Sequence, residues 1–276
     1  WPEKYPSCGG ERQSPIDVKR REVHFSSSLL PLHMVNYEEE GLELSMTNNG
    51  HTVQITLPNT MSMRDSDGTV YRTKQMHFHW GGRDSEISGS EHTIDGMRHA
   101  IEIHLVHFNE KYETYEKAVD QPDGLAVMAV LVKVGWNYAC VSVCINSLSF
   151  LSGQTTTLRN VNIRNMLPGD IRHYYTYQGS LTTPPCTENV KWFVFQDSAT
   201  ISKAQIHTIV ILPPPCDPPR IHTIGALPLP CGPLRIYTIG ALPPSAIQSC
   251  KCPLPCVSLV GLHRKSHKGC RLWSGS

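Results

Sequence analysis

The sequence predicts a mainly β (α+β) domain over residues 1–204 and an irregular tail over residues 205–276. Three observations carry this. Apolar and polar residues alternate through residues 42–57, 69–80 and 101–106, which is the period of a strand with one buried face. Residues 125–134 form a continuous apolar run of the buried-strand type, whereas only residues 109–119 show charges at helical spacing. Beyond Ala204, prolines are too dense for regular secondary structure.

Bulk properties narrow the function classes. A chain of 276 residues with 39% hydrophobic content is long enough for one large packed domain or two. Its net charge of +1 implies no strong field for nucleic acid or an anionic membrane, and a small neutral substrate fits. No apolar run approaches the roughly 20 residues of a membrane span. The chain starts at Trp1 with neither an initiator Met nor a signal-peptide pattern, so a processed or truncated product is expected. Ten cysteines point toward an oxidising compartment, although no N-x-S/T sequon adds support.

Taken in order, residues 1–17 carry Pro2, Pro6 and Pro15 and read as an irregular surface lead-in. Residues 42–57 and 69–80 read as strands separated by the turn signal of residues 65–68, and the loop 48–50 presents His51. The second of these strands ends in QMHFHW, residues 75–80. Successive strand side chains point to opposite faces, so His77 and His79 share a side, with Gln75 two residues ahead. Residues 87–96 read as a loop carrying Glu91 and His92. In HAIEIHLVHF, residues 99–108, Ile101, Ile103 and Leu105 alternate with Glu102, His104 and Val106.

If these two strands are neighbours, three imidazoles face one cavity. Three neutral imidazoles suit zinc and leave a fourth position open, the pattern of a catalytic rather than a structural site. Glu102 is placed to hold a liganding histidine by its other ring nitrogen, and Gln75 to do the same by its side-chain carbonyl. Spacing alone leaves two readings open, a pair of metal arms or a merely polar strand face. His51, by itself, reads as a surface histidine in a turn.

Residues 109–119 are expected to form one short helix. Residues 135–152, GWNYACVSVCINSLSFLS, leave their structure unassigned. Residues 180–185 form a rigid loop, since each proline fixes φ and biases its predecessor toward extended geometry. Residues 190–195 are the strand that follows. In the tail a motif recurs from Ile206, Ile221 and Ile236, 15 residues apart, too short and too proline-rich for an ordered solenoid. It reads as an alternative or erroneous coding end. Cys250, Cys252, Cys256 and Cys270, with His263 and His267, match no zinc-finger spacing.

GGERQSPID (9–17), NNGHTVQ (48–54), SEHTIDG (90–96) and YTYQGSLTTPPCTENVKWFVF (175–195), together with the two histidine segments, resemble the α-class carbonic anhydrases, and among them the secreted, salivary type. The resemblance runs from Trp1 to about Lys133 and from about Gly153 to Ala204. It implies a large, twisted, mostly antiparallel sheet with short peripheral helices. It also implies zinc-dependent, reversible hydration of carbon dioxide to bicarbonate and a proton, with inhibition by anions and sulfonamides. By resemblance His77, His79 and His104 are the Zn2+ ligands, supported by Gln75 and Glu102, and His51 is the proton shuttle. Thr182 is the hydroxyl that orients the attacking oxygen and donates to Glu91. Val106, Val127, Leu181, Val190 and Trp192 form the apolar wall for carbon dioxide, Thr183 lines the product side, and Gln54 lies on the polar wall. Cys8 and Cys186 match a disulfide of secreted relatives, which implies an extracellular location. Because the family pattern ends at Ala204, before a backbone carbonyl that holds the middle histidine, a catalytically weak or inactive binding protein is the alternative.

Overall fold

Thirteen strands and two α-helices follow one another along the residues that this computed structural model describes, 1–81, 88–135 and 153–210. The strands are β1 (Asp17–Val18), β2 (His33–Val35), β3 (Leu42–Asn48), β4 (Val53–Thr56), β5 (Ser62–Arg64), β6 (Val70–Trp80) and β7 (Thr93–Ile94). They continue with β8 (Ile101–Asn109), β9 (Leu125–Val134), β10 (Thr155–Val161), β11 (Tyr174–Gly179), β12 (Val190–Phe195) and β13 (Ala199–Ile201). The helices are α1 (Tyr115–Ala118) and α2 (Lys203–Val210). Most of the 135–152 segment, the 15-residue repeats beyond residue 210 and the tail cysteines with His263 and His267 lie outside the described residues. The irregular tail expected from residue 205 does not begin there: residues 205–210 continue α2, and Ile206 is buried in the main core. Among the described residues no helix is long and apolar enough to cross a membrane.

The expected mainly β architecture with one large sheet is present. Its strand order is β10-β3-β4-β6-β8-β9-β12-β11, with β13 beside β9 and the β2–β5 pair joined to β6. Most neighbours run antiparallel, but β12 and β13 run parallel to β9. Parallel pairing falls where both faces are covered: β9 is buried from Leu125 to Val132, and all of β12 except Lys191 is buried. One sheet face carries the main core, with Met76, Ile103, Leu105, Met128, Val130 and Phe193. The other carries a smaller apolar cluster built on Val106, Val127, Val190 and Trp192.

Two local readings change. Residues 42–57 are a hairpin of β3 and β4, paired from Met46–Ile55 to Asn48–Val53. Residues 109–119 are two short pieces rather than one helix: a 3-10 turn, Glu110–Tyr112, and then α1. The reason is Glu113, whose φ of 68° is left-handed and ends any right-handed turn. Each piece has its own cap, because the Asn109 side chain accepts from Lys111 N and the Thr114 side chain accepts from Lys117 N. The charges at helical spacing remain useful locally, since Glu113 pairs with Lys117.

The lead-in is tethered to the loop between β11 and β12. Cys8 and Cys186 form a disulfide with Cα atoms 4.9 Å apart across a sequence separation of 178. A loop that long gives a stabilisation on the order of 5 kcal/mol in the chain-entropy picture. Further bonds follow the same seam: Glu188 Oε1 accepts from Arg12 N and Gln13 Nε2, and Ser14 N donates to Ser180 Oγ.

Candidate metal centre

Strand register brings the histidines together. Antiparallel pairing of β6 with β8 sets His77 opposite His104 and His79 opposite Glu102. Cross-strand partners share a face, so one row runs from Gln54 through His77 and His104 to Ala129, and the next from Gln75 through Val106 and Val127 to Trp192.

The three rings turn one nitrogen each toward a common point. His79 Nε2 lies 3.1 Å from His104 Nδ1, which lies 3.3 Å from His77 Nε2. Four-coordinate zinc with bonds of about 2.0–2.1 Å separates its ligand nitrogens by roughly 3.3 Å, so the spacing suits that ion. The remaining ring nitrogens face oxygens. Gln75 Oε1 is 3.0 Å from His77 Nδ1, Glu102 Oε1 is 2.7 Å from His104 Nε2, and Glu91 Oε1 is 3.3 Å from His79 Nδ1. These acceptors assign the protons to the outward nitrogens and leave three lone pairs converging inward. Three lone pairs at this distance repel one another unless a cation lies between them. The donor set therefore fits a metal held by three imidazoles.

Glu102 is the hub. Its Oε1 accepts from His92 Nδ1 (2.6 Å) as well as His104, and its Oε2 accepts from the backbone amides of Glu91 (2.8 Å) and His92 (2.7 Å). Burial alone would raise this carboxyl, yet His92 and His104 hold it well below the usual range, so it stays ionised. Burial likewise works against charge on His104, but the Glu102 carboxylate outweighs it and raises the ring. At the other two rings burial and the neighbouring histidines outweigh the pull of Glu102, pushing His77 well below the usual histidine range and His79 down to about 3. Both stay neutral, which is the form a metal requires.

Burial raises Glu91, while His104 and the nearby Thr182 hydroxyl pull the other way. Its Oε2 has no hydrogen-bond partner within reach among the described residues. Thr182 is half-buried and Thr183 exposed, in a loop closed by bonds from Leu181 N to Thr187 O and from Cys186 N to Thr183 O. Val106, Val127, Val190 and Trp192 form one buried cluster with Leu181 packed against it. The Trp192 ring lies 4.9 Å from His104, so this cluster adjoins the histidines. His51 is exposed at the β3–β4 turn, where Asn49 Oδ1 accepts from His51 N and Thr52 N, and Thr52 Oγ1 ties the turn to Phe78 O.

Sequence reasoning passed over His92, Tyr177 and Ser14. His92 Nε2 lies 2.7 Å from the Tyr177 hydroxyl, which lies 2.9 Å from Ser14 Oγ. Burial pushes the Tyr177 phenol far up, so it remains a neutral hydroxyl. Gly179 makes room for this line, because a Cβ there would sit 2.1 Å from Ser14 Oγ. The only sequence signal was that SEHTIDG and YTYQGS, where His92 and Tyr177 sit, both carry the family resemblance.

The comparisons with known proteins agree with this geometry. The family model for eukaryotic-type carbonic anhydrases matches residues 1–212. The chain is 61% identical to carbonic anhydrase 6 of Mus musculus over 214 residues, covering 76% of this chain and 67% of that protein. It is 56% identical to carbonic anhydrase 6 of Homo sapiens over 211 residues, covering 75% and 68%. Carbonic anhydrase 12 of Homo sapiens is 38% identical over 210 residues, covering 75% and 59%.

Proposed function

The chain belongs to the eukaryotic-type carbonic anhydrases, a family of lyases, and on that premise we propose that it is a secreted, zinc-dependent enzyme that reversibly hydrates carbon dioxide to bicarbonate and a proton. The observation that carries this is the convergence of His77, His79 and His104 nitrogens at 3.1 and 3.3 Å, each ring backed by an oxygen on its far side. Zinc, when bound, supplies the Lewis acidity that lets water ionise near neutral pH, as it does in this family.

The chain's own residues do the rest. Carbon dioxide is apolar and takes its place against Val106, Val127, Leu181, Val190 and Trp192, which exclude water from that side. The Thr182 backbone N–H orients a substrate oxygen, and its hydroxyl, by donating to Glu91, has its lone pairs left to accept from the attacking oxygen. Glu91 must be ionised for this; burial raises its carboxyl, and His104 and the Thr182 hydroxyl act against that rise. Thr183 lines the side from which bicarbonate leaves, and Gln54 stands on the polar wall beside His77. His51, exposed at the rim, takes the proton to solvent. All of these residues lie in the 1–204 domain, and bicarbonate-like anions and sulfonamides are its expected inhibitors. The Cys8–Cys186 disulfide supports export to an oxidising extracellular fluid, where the product bicarbonate regulates pH.

Zinc content and stopped-flow carbon dioxide hydration, measured on the purified full chain, test the reading. The expected result is about one zinc per chain with hydration activity, both lost in His104→Ala, because two imidazoles hold zinc poorly. A folded chain with full zinc and no hydration would overturn it in favour of a binding protein.

A further inference from the structure

Each of the three rings on the site face meets an oxygen on its outer side, but not from the same kind of group. His77 has a carboxamide, Gln75, and His104 has the buried carboxylate of Glu102. His79 has Glu91, the residue that the catalytic reading assigns to Thr182.

We propose that Glu91 is also the positioning residue of His79, its Oε1 receiving the outward Nδ1–H of that ring as Gln75 and Glu102 do for the other two. This rests on the zinc reading above.

Three observations support it. Glu91 Oε1 makes an ion-pair contact of 3.3 Å with His79 Nδ1, a few tenths of an ångström longer than the 3.0 and 2.7 Å at the other two rings. Both side chains are largely buried, with 22% and 20% of their surface exposed, so water competes poorly for the pair. Most telling is how Glu91 itself is anchored. Its backbone amide and that of His92 both donate to Glu102 Oε2, at 2.8 and 2.7 Å. Glu102 thus fixes His104 directly through Oε1 and fixes His79 at one remove, by pinning the backbone that carries Glu91. One buried carboxylate sets the orientation of a ligand from β8 and a ligand from β6. The second oxygen of Glu91 is left without a bonded partner among the described residues and lies 3.9 Å from His104 Nε2, so the side chain is aimed into the ligand cluster rather than away from it.

This role makes a prediction that the Thr182 role does not. If Glu91 served Thr182 alone, its removal would slow hydration and leave metal affinity alone. If it also holds His79, its removal loosens the metal. Groups that support metal ligands in this way typically change affinity by 10–100-fold.

The experiment is chelator competition for zinc on the full chain, comparing the parent with Glu91→Ala, Glu91→Gln and Thr182→Ala. Circular dichroism of each metal-free protein reports folding. Glu91→Ala is expected to hold zinc about 10–100-fold more weakly. Glu91→Gln, whose amide oxygen can still accept the ring N–H, should recover most of that loss, and Thr182→Ala should match the parent. In 15N-labelled, zinc-loaded parent, the His79 Nδ1–H should give a slowly exchanging proton resonance that Glu91→Ala loses. Parent-like zinc affinity in Glu91→Ala, or equal weakening in Thr182→Ala, overturns the inference. Should Glu91→Ala fail to fold, absence of a protected His79 Nδ1–H in the zinc-loaded parent overturns it without any variant. A parent that holds no zinc overturns the functional reading, and this inference with it.

Discussion

Strand β8 buries two histidines on opposite faces of the sheet, and their surroundings could hardly differ more. His104 looks onto the site face, where Glu102 raises its affinity for a proton and Trp192 lies against its ring. His107 looks onto the core face with Ile103 and Leu105, where its Nε2 lies 2.6 Å from the Tyr37 hydroxyl and burial pushes its pKa down to about 4. No carboxylate answers it. Burial does not separate the two, since His104 and His107 are both almost wholly inaccessible. What separates these two rings is the group a nitrogen meets: the ionised carboxylate of Glu102 at His104, the neutral Tyr37 hydroxyl at His107.

The heaviest blow to the site face should come from Glu102→Ala. It removes the acceptor of two ring N–H groups and two backbone amides at once. Breaking a buried charged network of this kind costs about 3–5 kcal/mol, so a large drop in urea midpoint is expected together with loss of zinc retention. A variant with parent-like stability would mean that the site face does not depend on its hub.

The core-face histidine should show itself in pH dependence. Its folded pKa is depressed from 6.5 to about 4, so in this window the unfolded chain binds a proton that the folded chain refuses. Stability is therefore present above pH 6.5 and is lost as pH falls toward 4, by about 3 kcal/mol at full depth. His107→Gln cannot titrate, so urea titrations of metal-free parent and variant should diverge between pH 6.5 and 4, with the parent falling faster. Parallel curves would show that His107 is protonated in the fold.

The smallest effect on the fold belongs to His51→Ala at the exposed turn, within about 0.5 kcal/mol of the parent in stability. Its effect should be kinetic: hydration slowed roughly tenfold or more in weak buffer and restored by added imidazole, because only proton export is impaired. Slowing that imidazole does not relieve would give His51 some other role than the shuttle.

Much of this contrast was legible along the chain, as far as local period reaches. Alternation placed His77 with His79 and Glu102 with His104 and Val106, and the apolar run of β9 announced a strand covered on both faces. Helical charge spacing misled at residues 109–119, because nothing in that spacing signals that Glu113 takes a left-handed turn. His107 carried no signal at all, since in HAIEIHLVHF it looks like one more residue of an apolar face.

Sequence by itself determined which side chains share a face of each strand, because alternation depends only on the backbone's two-residue repeat. Tertiary structure decided which faces meet. A slip of one residue between β6 and β8 would have turned His77 away from His104, and only the packing of Met76, Ile103 and Leu105 into one core holds that register. It also decided the partners of the polar groups, which come from distant segments: Glu91 and His92 from the loop before β8, Tyr177 from β11, and Ser14 from the lead-in, 163 residues from the tyrosine it meets. Hydrogen bonds are short-ranged and directional, so no pattern along the chain can state them before the chain has folded.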